Sequence, residues 1–298
     1  IVKLTCIIQG AMLLSIVVMS QIGIIPDYIF DASTRQRHGL GFLWTTTGAI
    51  LYFYFMVLYI YLREERAHLI EYVILEAVNF GLYKLTDARM SFYLSTLLLI
   101  YVYVMRFYWQ NRKDRIRKNR LLIGAPAFFC ILAVACQIFY IPTDARWQKI
   151  NSVLSGRLEL GCFGWRDYGF SLLGTKIEWI GFSHNATAGA YNYVDCSYMQ
   201  ILLENGLIPL VIIIAVYTYI MYMAVKEKDF YLQTAVLLIT AFSITEPRLL
   251  NLAYNPLPFF GITYISLRGR SALFHREGHR LNRRVRFRTT HVRLKARK

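Results

Sequence analysis

Eight apolar runs dominate this chain of 298 residues, at 2–25, 40–62, 69–86, 91–109, 121–141, 204–225, 230–246 and 255–267. About 20 residues of helix are needed to cross a hydrocarbon core about 30 Å thick, and most of these runs approach or exceed that length. The third is interrupted by Glu71, Glu76, Asn79 and Lys84, and the last is short and opens on Pro256 and Pro258. Hydrophobic residues make up 56% of the chain and charged residues 17%, so there is too little polar surface to cover a soluble core of this size. The same balance excludes a disordered chain, a disulfide scaffold and a coiled coil. The expected fold is an all-α polytopic membrane protein with about eight transmembrane helices in this chain and one large external loop.

The net charge of +16 is concentrated at one end. Residues 268–298 hold 12 Lys or Arg against a single acid, Glu277, whereas residues 1–267 hold 22 against 17. A basic tail after the last apolar run is explained by anionic lipid at a cytoplasmic surface, and nucleic acid is not expected as a partner. Lys/Arg bias also orients the spans. The 110–120 connector carries six, so it is expected on the cytoplasmic side, and alternation puts 63–68, 226–229 and the tail there too. Loops 26–39, 86–90, 142–203 and 247–254 then face outward. The expected organisation is five helices over 1–141, an external loop over 142–203, three helices over 204–267 and a cytoplasmic tail over 268–298, in the cytoplasmic (inner) membrane. The chain enters its first span at once from Ile1, too apolar and too long for a cleaved signal peptide, and preceding spans are expected to be missing from it.

The five cysteines show no metal-ligand spacing. Cys6, Cys130 and Cys136 read as small core hydrophobes, while Cys162 and Cys196 are either unpaired or bridged across the outer loop. No metal or other cofactor is expected: the chain has no P-loop, dinucleotide fingerprint or HExxH. Paired broken helices of an inverted-repeat transporter are not visible either.

The outer side collects the chemistry. Loop 142–203 exceeds ordinary connection lengths and is rich in aromatics, among them Trp147, Trp165, Tyr168, Trp179, Tyr191, Tyr193 and Tyr198. It also carries Arg157, Asp167, His184 and Asp195. Arg35 and Arg37 precede one span, and Asp87 and Arg89 follow another. Arg suits phosphate because its planar fork donates two parallel hydrogen bonds and keeps its charge. Each signal has a plainer reading. Arg35 and Arg37 are solvated loop charges, Asp87 and Arg89 a local ion pair or cap, His184 a loop residue, and Arg157 the partner of Glu159 or Asp167. Asn185-Ala186-Thr187 fits a glycosylation sequon, a short pattern of low specificity.

Three segments carry a family resemblance: Asn151-Ser-Val-Leu-Ser-Gly-Arg157, Tyr168-Gly169-Phe-Ser-Leu-Leu-Gly174, and Tyr193-Val-Asp195-Cys-Ser197-Tyr198 running on to Gly206. In this order they resemble the outer loop of Wzy-type polysaccharide polymerases, relatives of the O-antigen ligases and similar to the glycosyltransferase C superfamily. Arg35, Arg37, Gly41-Phe42 and Thr86-Asp87-Ala88-Arg89 fit the earlier part of the pattern. The resemblance spans roughly residues 20–265 with degenerate motifs. Family members usually have about a dozen spans, the basic tail has no counterpart, and the ligases' histidine is replaced here by the stretch Asp195–Tyr198.

The resemblance implies metal-independent transfer of a polyprenyl-pyrophosphate-linked oligosaccharide onto the sugar hydroxyl of another lipid-linked repeat. The catalytic set it implies is Arg157, Asp195 and Arg89, with Arg35, Arg37, Asp87, Tyr198 and Tyr168 binding substrate. Membrane lipids, a chain-length regulator and a flippase are the partners it implies. The competing class is a lipid-linked oligosaccharide flippase or other secondary transporter, whose cations should line a path through the spans rather than gather at one end. A scaffold role is the third, and leaves the aromatic loop unexplained.

Overall fold

The computed structural model describes residues 2–32, 35–111, 120–181 and 191–259. The chain forms two units, 1–257 and 258–298. Only residues 258 and 259 of the second are described, so the basic tail and most of run 255–267 lie outside, as do most of the basic connector, His184 and the Asn185 sequon.

Ten α-helices and one hairpin make up the described part of the first unit. α1 (Val2–Gln21) leads to an antiparallel pair, β1 (Ile29–Ala32) and β2 (Arg35–His38), and then to α2 (Thr47–Arg63). The hairpin replaces the loop expected there. Asp27 organises the turn after it, accepting from the Leu40 amide at 2.7 Å and pairing with His38 Nδ1 at 2.6 Å. Residues 40–46 therefore form a turn, and the expected span at 40–62 starts helically only at Thr47.

α2 is the centre of the bundle, with Phe53, Tyr54, Met56 and Leu58 fully buried. Its Phe53 ring lies 4.2 Å from Phe242 of α10 (Phe230–Phe242). α1 packs on α2 and anchors through buried Gln9, whose amide donates to the carbonyls of Ala253 and Tyr254 at 2.7 and 2.8 Å. The outward face of α1 is aliphatic and exposed at Leu4, Ile7, Leu14 and Val18, as suits lipid contact.

α3 (Leu69–Thr86) and α4 (Arg89–Asn111) form a tight pair, because Asp87 takes a left-handed conformation at φ 53° and turns the chain in two residues. Asn79 of α3 donates to Thr96 and to the Phe92 carbonyl of α4, a polar seam of the kind that holds helices together in lipid. A 3₁₀ turn (Arg120–Gly124) enters α5 (Ala125–Ile138).

Among its described residues the expected outer loop carries three helices: α6 (Ala145–Val153), α7 (Arg157–Tyr168) and α8 (Ser197–Glu204). α8 is a core element, with Tyr198, Met199 and Leu203 buried, so the last seven residues of the expected loop, 197–203, pack inside. α9 (Leu207–Lys226) follows after a break at Asn205-Gly206.

The break is held from outside. Leu207 and Ile208 at the start of α9 donate to the carbonyls of Ser171 and Leu172, and Thr175 donates back to the Leu203 carbonyl. Gly206 (φ 96°) and Gly174 (φ 86°) meet backbone to backbone. A Cβ on Gly206 would strike Gly174 N and Leu172 O, and one on Gly174 would strike Glu204 O.

Three described helices are long and apolar enough to cross a membrane: Val2–Gln21, Arg120–Ile138 including the 3₁₀ turn, and Leu207–Lys226. The remaining apolar runs fall short of that standard for separate reasons. α2 has 17 residues and α10 has 13, the latter ending at Phe242 rather than at 246, and α3 carries Glu71, Glu76 and Lys84. The protein is thus mainly helical, with apolar helices that fit an all-α membrane protein; eight spans are not what these helices display.

The loops segregate by end. Arg37 of the 26–39 loop reaches Asp87 of the 86–90 turn, and Arg157 of the outer segment reaches Glu246. At the other end, Arg63 pairs with Glu71, Arg106 donates to the Ala67 carbonyl, and Asp229 lies in the field of Glu64.

Candidate active site: an arginine between two carboxylates

Local backbone chemistry puts Arg157 at the head of α7. The Asn151 side-chain carbonyl accepts from the Leu158 and Glu159 amides at 3.1 and 3.3 Å, capping the helix from six residues upstream. Ser155 and Gly156, at φ 56° and 83°, make the tight turn between. The Asn151…Ser155-Gly156-Arg157 motif is therefore a device for starting a helix on an arginine.

That arginine does not pair with Glu159 or Asp167. Its Nη2 donates to Glu246 Oε1 at 2.8 Å, and its Nε faces Asp195 Oδ2 at 3.5 Å, an ion-pair distance without hydrogen-bond geometry. The Arg157 side chain is 16% exposed, Asp195 26% and Glu246 7%, so Asp195 is the most accessible of the three.

Ser197 fixes the register of the two carboxylates. Its amide donates to the Ser243 carbonyl at 3.0 Å, its hydroxyl donates to the Glu246 carbonyl at 2.6 Å, and the Leu249 amide donates to that hydroxyl at 3.1 Å. The strap after α10 is thereby pinned to the start of α8, two residues past Asp195. Arg248 on this strap lies 5.3 Å from the Tyr254 ring centroid. Among the described residues it has no carboxylate within ion-pair distance, and its Nε is buried without an acceptor.

Burial dominates the electrostatics. It pushes the Glu246 carboxyl up to about 7, with Asp195 adding to the rise and Arg157 and Arg248 opposing it. Asp195 is also raised by burial, against the pull of Arg157 and Arg248. Tyr191 and Tyr193 sit in the same field and are held protonated by burial. The site thus joins a permanent cation to two carboxyl groups that take up protons more readily than in water.

An aromatic wall flanks it. Tyr168, Trp179 and Tyr193 form edge-to-face contacts with centroids 5.9 and 6.1 Å apart. Asn192 donates to the Tyr168 hydroxyl at 2.8 Å and accepts from the Ile180 amide at 2.6 Å. Beyond Ser197 lies a cavity of about 150 Å³, whose lining includes Gln200, Glu204, Asn205 and Asn251.

The residues expected to act together fall into two groups. Arg157 and Asp195 meet; Arg37, Asp87 and Arg89 form a separate cluster, and no described contact joins the two. Arg89 thus stands in the second group, apart from Arg157 and Asp195. Arg35 is placed as strand backbone opposite Ala32. Tyr198 is withdrawn as a substrate contact, because it is fully buried and its hydroxyl donates to the Thr240 carbonyl at 2.6 Å. Cys162 and Cys196 are buried free thiols rather than a disulfide. Among the described residues no cluster of three or more His, Cys, Asp or Glu is placed to hold a metal ion.

Glu246 and Arg248 were not anticipated. Glu246 closes the apolar run 230–246, and an acid in that position is costly unless paired, which is the signal the sequence offers.

Fold and site together define a helical protein with apolar helices of membrane length and a half-sealed arginine–carboxylate centre at one end of the bundle. Comparison with protein-family models, with curated proteins and with solved structures returned no significant match.

Proposed function

We propose that this chain is a multi-pass membrane glycosyltransferase that polymerises polyprenyl-pyrophosphate-linked oligosaccharide repeats at the outer face of the cytoplasmic membrane. The proposal takes the helices that fall short of membrane length, α2, α3, α4 and α10, and run 255–267 as further spans, about eight in all, in an architecture akin to the glycosyltransferase C superfamily. The observation that carries it is the placing of Arg157 between Asp195 and Glu246 beside an aromatic wall.

In this reading an acceptor sugar hydroxyl attacks the anomeric carbon of the donor. The new glycosidic C–O bond forms as the bond to pyrophosphate breaks, and its electron pair leaves with the polyprenyl pyrophosphate. Asp195, the more accessible carboxylate, receives the hydroxyl proton. Arg157 meets the charge that grows on the leaving group, a contact stronger in the transition state than before it. Glu246 aims Arg157, and a Glu246 near neutrality can take a proton and release the fork to phosphate oxygens. Partial burial of Arg157, Asp195 and Glu246 strengthens each contact relative to one on a fully solvated loop.

The test is polymer formation by purified protein from synthetic lipid-linked repeat units. Arg157→Ala should abolish polymer at matched protein level, and Arg157→Lys should restore it only partly, since a point charge lacks the bidentate fork. Normal polymer from Arg157→Ala would overturn the reading. Movement of the substrate across sealed vesicles without polymer would favour a flippase.

A further inference from the structure

We infer that the seam between α3 and α4 binds a small monovalent metal cation of sodium's kind, on Glu76, Asn79, Thr96 and the Phe92 carbonyl. The inference takes α3 and α4 as spans, as the proposed function does, and does not depend on glycosyl transfer.

The seam holds more acceptors than its donors can satisfy. Thr96 Oγ1 donates to Glu76 Oε1 at 2.7 Å. Asn79 Nδ2 faces Glu76 Oε2 at 3.3 Å, the Phe92 carbonyl at 3.2 Å and Thr96 Oγ1 at 3.1 Å. An amide nitrogen carries two hydrogens, so these acceptors surround a group that cannot serve them all. Joining the two helices needs only Thr96 and the Phe92 carbonyl. Glu76 is the surplus partner.

Glu76 also brings a charge that nothing beside it balances. Both of its hydrogen-bond partners are neutral and donate to it, so the network is built round the ionised carboxylate. Among the described residues it has no ion-pair partner. The other charges of the helix pair are engaged elsewhere: Glu71 with Arg63 at 2.6 Å, Arg89 with Asp87, Arg106 at the Ala67 carbonyl, and Lys84 over the Phe80 ring. From α2, Tyr52 lies in the field of Glu76, but its hydroxyl donates to the Leu75 carbonyl at 2.7 Å. Glu76 is half-buried on a flank where Val73, Ile74, Val78 and Phe80 are exposed, so in lipid hydrocarbon surrounds it rather than water. An ionised group there requires a partner.

The oxygens already in place suit a hard ion. A half-turn of the Asn79 amide exchanges its nitrogen for Oδ1, which leaves carboxylate, carbonyl, amide and hydroxyl oxygens facing one point. Hard cations take such oxygens, in proteins and in the filters of channels. A single carboxylate balances a single positive charge, which favours a monovalent ion over calcium or magnesium.

Thermal unfolding of the full chain in detergent, in sodium chloride against choline chloride of equal ionic strength, reads the binding. Sodium should raise the melting midpoint of the wild type in a saturable way, as a ligand of the folded state does. Glu76→Gln keeps an acceptor for the Thr96 hydroxyl and should fold, but its sodium-dependent shift should vanish. Thr96→Val should need more sodium to reach saturation. Dicyclohexylcarbodiimide, an apolar reagent for carboxyl groups, locates the site by peptide mapping. It should modify Glu76, and sodium at about ten times its half-saturating concentration should slow that reaction about tenfold. An equal rise in choline, an unchanged shift in Glu76→Gln, or labelling of Glu76 that is absent or indifferent to sodium would overturn the inference. Polymer formation without a sodium effect removes this inference alone, whereas a sodium effect without polymer removes only the glycosyl-transfer reading.

Discussion

Arg157 and Glu246, 89 positions apart in the chain, meet at 2.8 Å with both side chains mostly shielded from water. The contact ties the head of α7 to the strap after α10, and it makes each residue's stability contribution depend on the other.

Removing the cation alone should therefore hurt more than removing the pair. Arg157→Ala strands two shielded carboxylates, and loss of one partner in such a setting costs about 3–5 kcal/mol. Arg157→Ala combined with Glu246→Gln should recover a large part of that loss. Thermal unfolding in detergent of both singles and the double measures the coupling; additive losses would mean that the contact is not an energetic unit.

Stability should also fall as pH rises through the Glu246 window. The carboxyl has an ordinary value of 4.5 and is raised to about 7 when folded, so between those values the folded state holds a proton the unfolded state has lost. The folded state binds more protons there, and increasing pH favours unfolding. Glu246→Gln should flatten the slope of the melting midpoint between about pH 4.5 and 7. An identical slope in the variant would assign the dependence to other groups.

The Gly174–Gly206 contact should not tolerate a methyl group on either side. Gly206→Ala meets both a positive φ and the backbone of Gly174 and Leu172, and should open the junction of α8 and α9. Gly169→Ala is the matched control: at φ 69° and ψ −158° its backbone also disfavours a side chain, but nothing lies within 4 Å, so only the conformational cost of about 1–3 kcal/mol applies. Limited proteolysis of the 169–181 stretch should separate them, with rapid cutting in Gly206→Ala only.

The proposed function, with the Lys/Arg bias of the connectors, sets which end should face outward. Ser155→Cys and Lys228→Cys, both at exposed turns, should react with a membrane-impermeant thiol reagent from opposite faces of intact cells, position 155 from outside. Labelling of position 228 from outside would invert the orientation.

The helical segments were readable wherever hydrophobicity alone decides. Run 69–86 coincides with α3 despite its four polar residues, because helix–helix hydrogen bonds such as Asn79 to Thr96 absorb part of them. Boundaries failed where one side chain overrides a pattern. Asp27 turns the chain at residues 40–46, and Asn205-Gly206 breaks what hydropathy reads as a single run from 204. The hairpin at 29–38 was illegible because Asp-Ala-Ser-Thr-Arg-Gln-Arg-His has no alternation of apolar and polar residues.

The site was half legible for a similar reason. Arg157 and Asp195 stand out as charges in an aromatic segment, and the structure brings them within ion-pair distance. Glu246 and Arg248 sit where an apolar run ends, and pairing across 89 positions is a tertiary fact no local pattern encodes. Arg89 and Tyr198 show the converse. Their types fit the chemistry, but Asp87 and the Thr240 carbonyl hold them elsewhere.

The clasp between the 171–175 turn and the α8–α9 junction also sets an order of assembly. Its two halves lie some thirty residues apart, and the amides it satisfies belong to α9, so the turn has no partner until that later helix has been synthesised and inserted. A ribosome-bound chain halted before residue 207 would carry α6 and α7 without their anchor, and the arginine at the head of α7 would still await Glu246. The centre therefore stays incomplete until residue 246 has been synthesised and the strap after α10 has reached its place.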